Sequence, residues 1–369
     1  MPFRNDNDRI PSAAAGVLLV TSIAELNFVL GPRLTVEVAG TGAWIVVIPA
    51  AALVALSAWI AVWLIRAFPK RDLLEIATLT LGRPLGVLLG GAYVVYWLLR
   101  AGQMIQVQTH VFRLTLLEET PRAAVAAYIV LLSAYLVAHG IEPLARTALL
   151  IAPAHLPLVA ITVPALFTGD FGRLIPIGPP DLNAALRGVW SVFCNAPGVE
   201  VLLMIAPFLS GRGSALRSSL YGIAFLAVLA VLLQIALLAN FGVVNTKQFT
   251  MPTLELSRVT KAPGFEGFRL DPVFVVMWFV VTFASIAVAH YMAATAVRSL
   301  FRAGRSGLPV FGTAVAMLIL GAYPIGLPQL FEWVEAFRLY GVPVMSMGIP
   351  LALMLAALAR RARGAGEGR

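Results

Sequence analysis

Charge and cysteine are what this sequence is short of. Only 12% of its 369 residues are Asp, Glu, Lys or Arg, against 60% hydrophobic, and a water-soluble domain does not cover its surface with so few ionised side chains. The single cysteine, Cys194, excludes an intrachain disulfide and leaves no set of thiolates for a metal. Four histidines, His110, His139, His155 and His290, show neither an i/i+4 pair nor a carboxylate cluster, so no metal and no cofactor is assigned. Walker loops, nucleophile elbows and zinc-protease motifs are also missing, which argues against an ATP-driven pump or a membrane hydrolase; the expectation is a protein that is not an enzyme.

What is present instead is apolar length. Ten stretches are long enough to cross a hydrocarbon core of about 30 Å: 12–31, 43–65, 85–111, 123–139, 146–168, 188–209, 217–241, 272–297, 309–326 and 342–359. The reading is an all-α polytopic membrane protein, one integral domain over 1–360 followed by a tail, 361–369, whose Gly/Arg composition predicts disorder. The first run has no small-residue cleavage site, which predicts a retained helix and not a removed signal.

Charge placement gives the orientation. Of the 27 Lys and Arg, sixteen fall on the side holding both ends of the chain, ten on the other and one, Arg100, within a span. This bias predicts cytoplasmic termini. It also explains the formal net charge of +9 as an orientation signal, with no nucleic-acid partner. Between the second and third spans, residues 72–82 begin at a capping Asp72, carry Glu75 three positions later and end at Gly82, the pattern of a short interfacial helix. Residues 328–340 place Leu330, Trp333, Val334 and Phe337 on one helical face and predict an outer helix lying on the membrane or capping the bundle.

Three ionisable residues sit inside predicted spans: Glu25 in the first, Arg100 in the third and Glu200 in the sixth. An ionised group at mid-membrane costs about 2.5–3.5 kcal/mol on insertion scales and marks a functional candidate. The sixth span also carries Asn195, Ala196, Pro197 and Gly198. Pro removes a backbone donor and Gly loosens the helix, so the peptide groups from Asn195 to Gly198 lose helical partners. Such backbone is tolerated at membrane depth only inside protein or along a cavity. The first span repeats the feature weakly, with Glu25 and Asn27 ahead of Gly31-Pro32. Two broken helices opening two halves predict a five-plus-five inverted repeat with a solute site at the breaks. Arg100 is available as counter-ion to Glu25 or Glu200, or as partner of a substrate carboxylate. Tyr93, Tyr96, Gln103 and Gln106 share its helix and could join it on a cavity face, as could His290 from the eighth span. Gly82, Gly86 and Gly90 recur every four residues, a sign of close helix contact.

These segments carry a family resemblance. FCNAPGVEVLLMIAPFL resembles the Gly-x-Glu-bearing, Pro-Phe-ended sixth helix of the spore germination permeases, the B subunits of germinant receptors. FPKRDLLEIATLTLGRPLG resembles their loop into the third helix, HGIEPLARTALLIAP their Gly-Ile-Glu…Ala-Arg entry to the fifth, and MPTLELSRVT their outer loop before the eighth, with Trp278 following. The matches run in order from about residue 12 to 300. The resemblance implies the amino acid–polyamine–organocation transporter fold, a small germinant such as an amino acid as ligand, other germinant-receptor subunits as partners, and the spore inner membrane as location. Gly198 and Glu200 correspond to the family's Gly-x-Glu, and Glu142 with Arg146 to its Gly-Ile-Glu…Arg segment. Where the family's first helix usually has a Gly-Thr-Gly-like break, this chain has Glu25-Leu-Asn27, and a carboxylate there either favours a cationic group or replaces backbone contacts.

The leading expectation is therefore a germinant-receptor subunit binding a small solute through Glu25, Asn27, Tyr96, Arg100, Asn195, Ala196, Gly198 and Glu200. A proton-coupled amino acid transporter is the first alternative. A non-binding membrane scaffold is the second.

Overall fold

The computed structural model describes residues 9–115, 119–210, 212–260, 269–301 and 307–366, and among them regular structure is helical apart from one parallel bridge between Ile10 and Leu209. The first half runs α1 (Ser12–Asn27), α2 (Gly31–Ala39), α3 (Ala43–Ala67), α4 (Leu73–Leu81), α5 (Arg83–Thr115), α6 (Arg122–Ala138), α7 (Ile141–Ile151) and α8 (Leu156–Thr168). The second runs α9 (Leu182–Cys194), α10 (Val201–Met204), α11 (Arg212–Gln248), α12 (Pro252–Val259), α13 (Leu270–Phe301), α14 (Leu308–Ala322), α15 (Leu327–Ala336) and α16 (Ile349–Gly366). The order repeats. Each half has a broken helix, a long helix, a short connecting helix (α4 or α12), another long helix, and two further spans. This is a ten-span, five-plus-five transporter architecture with its first and sixth spans interrupted.

Among the described residues, six helical stretches are long and apolar enough to cross a membrane, and three shorter apolar helices accompany them. The broken stretch from α9 to α10 completes the set. Outward faces are correspondingly apolar: Leu131, Tyr135, Leu150 and Phe167 are all exposed, as expected where lipid replaces water. Inside, α1 is enclosed by α11, α13 and α7, while α5 lies along α13 and α14. Close approach has a visible cause at Gly16, where an added Cβ would sit 2.8 Å from the Ser218 carbonyl oxygen of α11.

The short helix α4 follows from its sequence. The Asp72 carboxylate accepts the Glu75 N–H at 2.8 Å and the Glu75 carboxylate accepts the Asp72 N–H at 3.3 Å, a reciprocal cap. Leu73, Leu74, Ile76 and Ala77 are buried, so one face packs on the bundle.

Three expectations are corrected. The helix resumes at Gly31 after the first break, so the first span extends to Ala39, beyond the boundary of 31 read from sequence. Pro32 stands at the N-terminal edge of α2, where its missing N–H is no loss, and a Pro at a helix start is the same letter as a Pro at a stop. Residues 328–340 are not a separate outer helix but the first half of the tenth span. That span passes through Gly341 and Pro343 by two π turns, Phe337–Gly341 and Val344–Gly348, whose wider winding accommodates the proline. The tail remains helical through Gly366, since Ala and Arg are strong helix formers continuing an existing helix; residues 367–369 lie outside the described residues.

Candidate functional site

The two breaks meet. α1 stops at Asn27, residues 28–30 turn, and α2 starts at Gly31. α9 stops at Cys194, residues 195–200 leave the helix, and α10 resumes at Val201. Gly198, with φ of +124°, would place a Cβ 2.5 Å from that of Ser22, so only glycine suits both the backbone conformation and the contact. A Cβ on Gly31 would lie 2.8 Å from Asn27 Oδ1 and 3.9 Å from Asn195 Nδ2, so both carboxamides lie near Gly31 at the first break.

Helix α5 supplies side chains to both breaks, one turn apart. Arg100 Nη2 donates to Glu25 Oε1 and to the Ser22 carbonyl, each at 2.6 Å, within an ion pair whose side chains are 3% and 2% exposed. Tyr96 donates its hydroxyl to Glu200 Oε1 at 2.6 Å. The other Glu200 oxygen accepts from Ser346 Oγ at 2.6 Å and from the Gly198 N–H at 3.1 Å. Glu200 is thus saturated by donors, one of them the backbone of its own break. Arg100 is directed to Glu25 and not to Glu200.

Neighbouring helices hold α1 and the turn after it in place. Trp278 Nε1 donates to the Glu25 carbonyl at 3.0 Å, Ser285 Oγ to that of Thr21 at 2.5 Å, and Thr253 Oγ1 to that of Phe28 at 2.5 Å. Arg338, bound to Glu335 on its own span, also donates to Ser191 Oγ at 3.2 Å near the end of α9. The tenth span therefore grips the sixth on both sides of its break, at Ser191 and Glu200.

Not every polar atom is satisfied. Glu25 Oε2, Ser22 Oγ and Asn195 Nδ2 are buried with no hydrogen-bond partner among the described residues. A buried polar group left unpaired costs about 1–3 kcal/mol, more if charged. These three offer a carboxylate oxygen and a hydroxyl on α1 and an amide donor on the second break. That set can receive an ammonium at Glu25 and an anionic or carbonyl oxygen at Asn195.

Other candidates lie elsewhere. Tyr93 donates to the Met345 carbonyl at 2.8 Å and Gln106 to those of Leu320 and Tyr323 at 2.9 and 2.7 Å, so both tie helices together. His290 contacts Ser133 through Nδ1 at 2.8 Å and Thr313 through Nε2 at 3.1 Å, linking α13 to α6 and α14 and not to either carboxylate. Ala196 is buried within the break and supplies backbone only. The glycine repeat works by contact, with Gly86 against Thr78 and Gly90 against Leu300. Sequence reasoning missed Ser22, Ser346 and Arg338. A lone hydroxyl in an apolar span carries no distinguishing pattern, and Arg338 stood in the segment assigned outside the bundle.

The architecture has solved counterparts. MhsT in complex with L-phenylalanine superposes with a TM-score of 0.72 at 14% identity, covering 96% of this chain and 93% of its own. A Na+-coupled sialic acid symporter in a substrate-bound outward-open state gives 0.66 at 12% identity, covering 98% and 81%. Two proteins of Bacillus subtilis (strain 168) are similar in sequence. Spore germination protein YndE is 22% identical over 319 residues, 86% of this chain and 87% of that one. Spore germination protein KB is 24% identical over 304 residues, 79% and 80%. The spore germination protein profile matches residues 9–324, a stretch that contains both breaks, the Arg100–Glu25 pair and the Tyr96–Glu200 bond. With a transporter-like fold of ten spans and a match over most of its length, this chain belongs to the spore germination protein family of membrane permeases.

Proposed function

We propose that this protein is the membrane subunit of a germinant receptor in the spore inner membrane, with both termini cytoplasmic and other receptor subunits as partners. Its ligand is an amino acid or similar small zwitterion held between the two helix breaks. The observation that carries the reading is that Glu25 Oε2, Ser22 Oγ and Asn195 Nδ2 are all buried and unpartnered among the described residues, on two segments that touch at Ser22 and Gly198. Glu25 and Ser22 receive the ligand's cationic end, Asn27 and Asn195 with the adjoining backbone its carboxylate. Tyr96, Glu200, Ala196 and Gly198 keep the second break open, and Arg100 holds Glu25 in place. Binding shifts the bundle toward a signalling state if the ligand contacts the two states unequally.

A second reading, proton-coupled amino acid transport, is favoured by the same free Glu25 oxygen, which can carry a proton inside the membrane. Purified protein in liposomes, given a labelled amino-acid mixture and an imposed proton gradient, tests both. Saturable binding weakened about tenfold or more by Asn195→Ala, which corresponds to about 1.4 kcal/mol, is the expected result. Binding indifferent to Asn195→Ala sinks the proposed site. Accumulation above the bound stoichiometry, lost in Glu25→Gln, makes the protein a transporter.

A further inference from the structure

An open apolar groove runs along α5, with Tyr96 between it and the second helix break. It has a volume of about 640 Å³ and lies between α5 and the tenth span. On α5 its wall is Val87, Leu88, Gly91, Ala92, Val95 and Leu99, a ridge three turns long, or about 18 Å along the helix axis. On the tenth span the wall is Phe337, Gly341 and Met345, and its floor is Tyr96. The lining is almost wholly apolar.

Three observations identify what fills it. The groove opens sideways along a helix that is long and apolar enough to cross a membrane, and its rim is exposed on that face: Val87 52%, Leu88 68% and Val95 55%. It is therefore continuous with the surface that hydrocarbon covers. Its length is that of a chain and not of a compact solute. A Cβ added at Gly91 would meet nothing within 4 Å, so the gap is a space the sequence leaves open.

The floor then connects this space to the centre of the protein. Tyr96 stacks on Phe337 with ring centroids 5.0 Å apart and 20° between planes, and its hydroxyl bonds Glu200 beyond. Both π turns of the chain's described part fall in the wall segment, Phe337–Gly341 and Val344–Gly348. Between them they carry Met345, whose carbonyl Tyr93 binds, and Ser346, which binds Glu200. π turns often mark positions where a helix works and does not merely span.

We infer that a phospholipid acyl chain from the bilayer occupies this groove and leans on the Tyr96–Phe337 stack, so that lipid packing is communicated through Tyr96 and Ser346 to Glu200 and the broken sixth helix. The groove shares only Tyr96 with the proposed solute site, and the inference does not depend on which solute is bound.

The test uses full-length protein in phosphatidylglycerol–phosphatidylethanolamine vesicles containing a phospholipid with a diazirine in its acyl chain, with adducts mapped by mass spectrometry after illumination. Adducts are expected to concentrate on 87–99 and 337–345 and to fall at least fivefold in Gly91→Phe, which fills the groove, and in Val95→Trp, which fills it from the rim. A second readout is amide hydrogen exchange over 195–205. It is expected to slow severalfold when lipid is added to detergent-solubilised wild type, and to be slow without lipid in Gly91→Phe, whose own ring occupies the groove. Labelling spread evenly over α6 and α5 and unchanged in both variants overturns the inference. So does cross-linking of Leu88→Cys between two copies in the vesicles, which would make the groove a protein interface.

Discussion

Glu25 and Glu200 occupy comparable places in the two halves of the molecule, each at an interrupted helix and each almost fully buried, and they are held in opposite ways. Glu25 is neutralised by a cation on one oxygen and has nothing on the other. Glu200 forms no ion pair among the described residues and is satisfied on both oxygens by a phenol, a hydroxyl and a backbone N–H. A charge balanced by a charge leaves hydrogen-bonding capacity to spare, whereas a charge balanced by donors does not. The carboxylate of the first break therefore keeps an oxygen unfilled. That of the second is a staple, fixing the shape of its own break.

Substitutions can break this contrast in order of size. Arg100→Met strands a buried carboxylate and is expected to cost about 3–5 kcal/mol. Thermal unfolding in detergent reads the loss, and adding Glu25→Gln should recover at least half of it. Gly198→Ala comes next, at about 2–3 kcal/mol, since it imposes a strained φ as well as the contact with Ser22. Combining it with Ser22→Gly should relieve the contact but leave the strain. Glu200→Gln keeps the shape but sets an amide N–H against existing donors, and about 2 kcal/mol is expected on the cost of charge-assisted bonds. Tyr96→Phe and Ser346→Ala should each cost about 1 kcal/mol, and neither should add further loss in the Glu200→Gln background if both act through that carboxylate. The smallest effect belongs to Glu142→Gln. Its partner Arg146 is 75% exposed, and such surface pairs contribute under about 1 kcal/mol, so an unchanged melting temperature is expected.

Much of the architecture was legible because membranes impose length. The all-helical membrane character, the capped helix at 72–82 and a break at Asn195–Gly198 followed from local letters: apolar runs, an Asp with a Glu three later, and a Pro-Gly pair beside a carboxylate. The rest required geometry. Sequence left Arg100 three partners to choose from; the decision came from Tyr96, one turn earlier on α5, already directed at Glu200. The tenth span was cut short because Gly341 and Pro343 resemble a stop, and a π turn leaves no local signature that distinguishes passage from termination. His290 showed the converse. A histidine in an apolar span can be read toward a cavity, yet here both nitrogens are engaged by helix-packing partners.

The bridge between Ile10 and the segment after α10 has a consequence for biosynthesis. Ile10 donates to the Phe208 carbonyl at 3.0 Å, and its own carbonyl accepts both the N–H and the hydroxyl of Ser210, 200 residues later. At a synthesis rate of about 5–20 residues per second, that partner emerges about 10–40 s after Ile10 itself. The Arg100–Glu25 pair spans only 75 residues and can form much sooner. The first helix can thus be anchored near its end by one half of the nascent chain well before its beginning is fastened by the other, and the start of the helix is the part that must wait for the second half to be made.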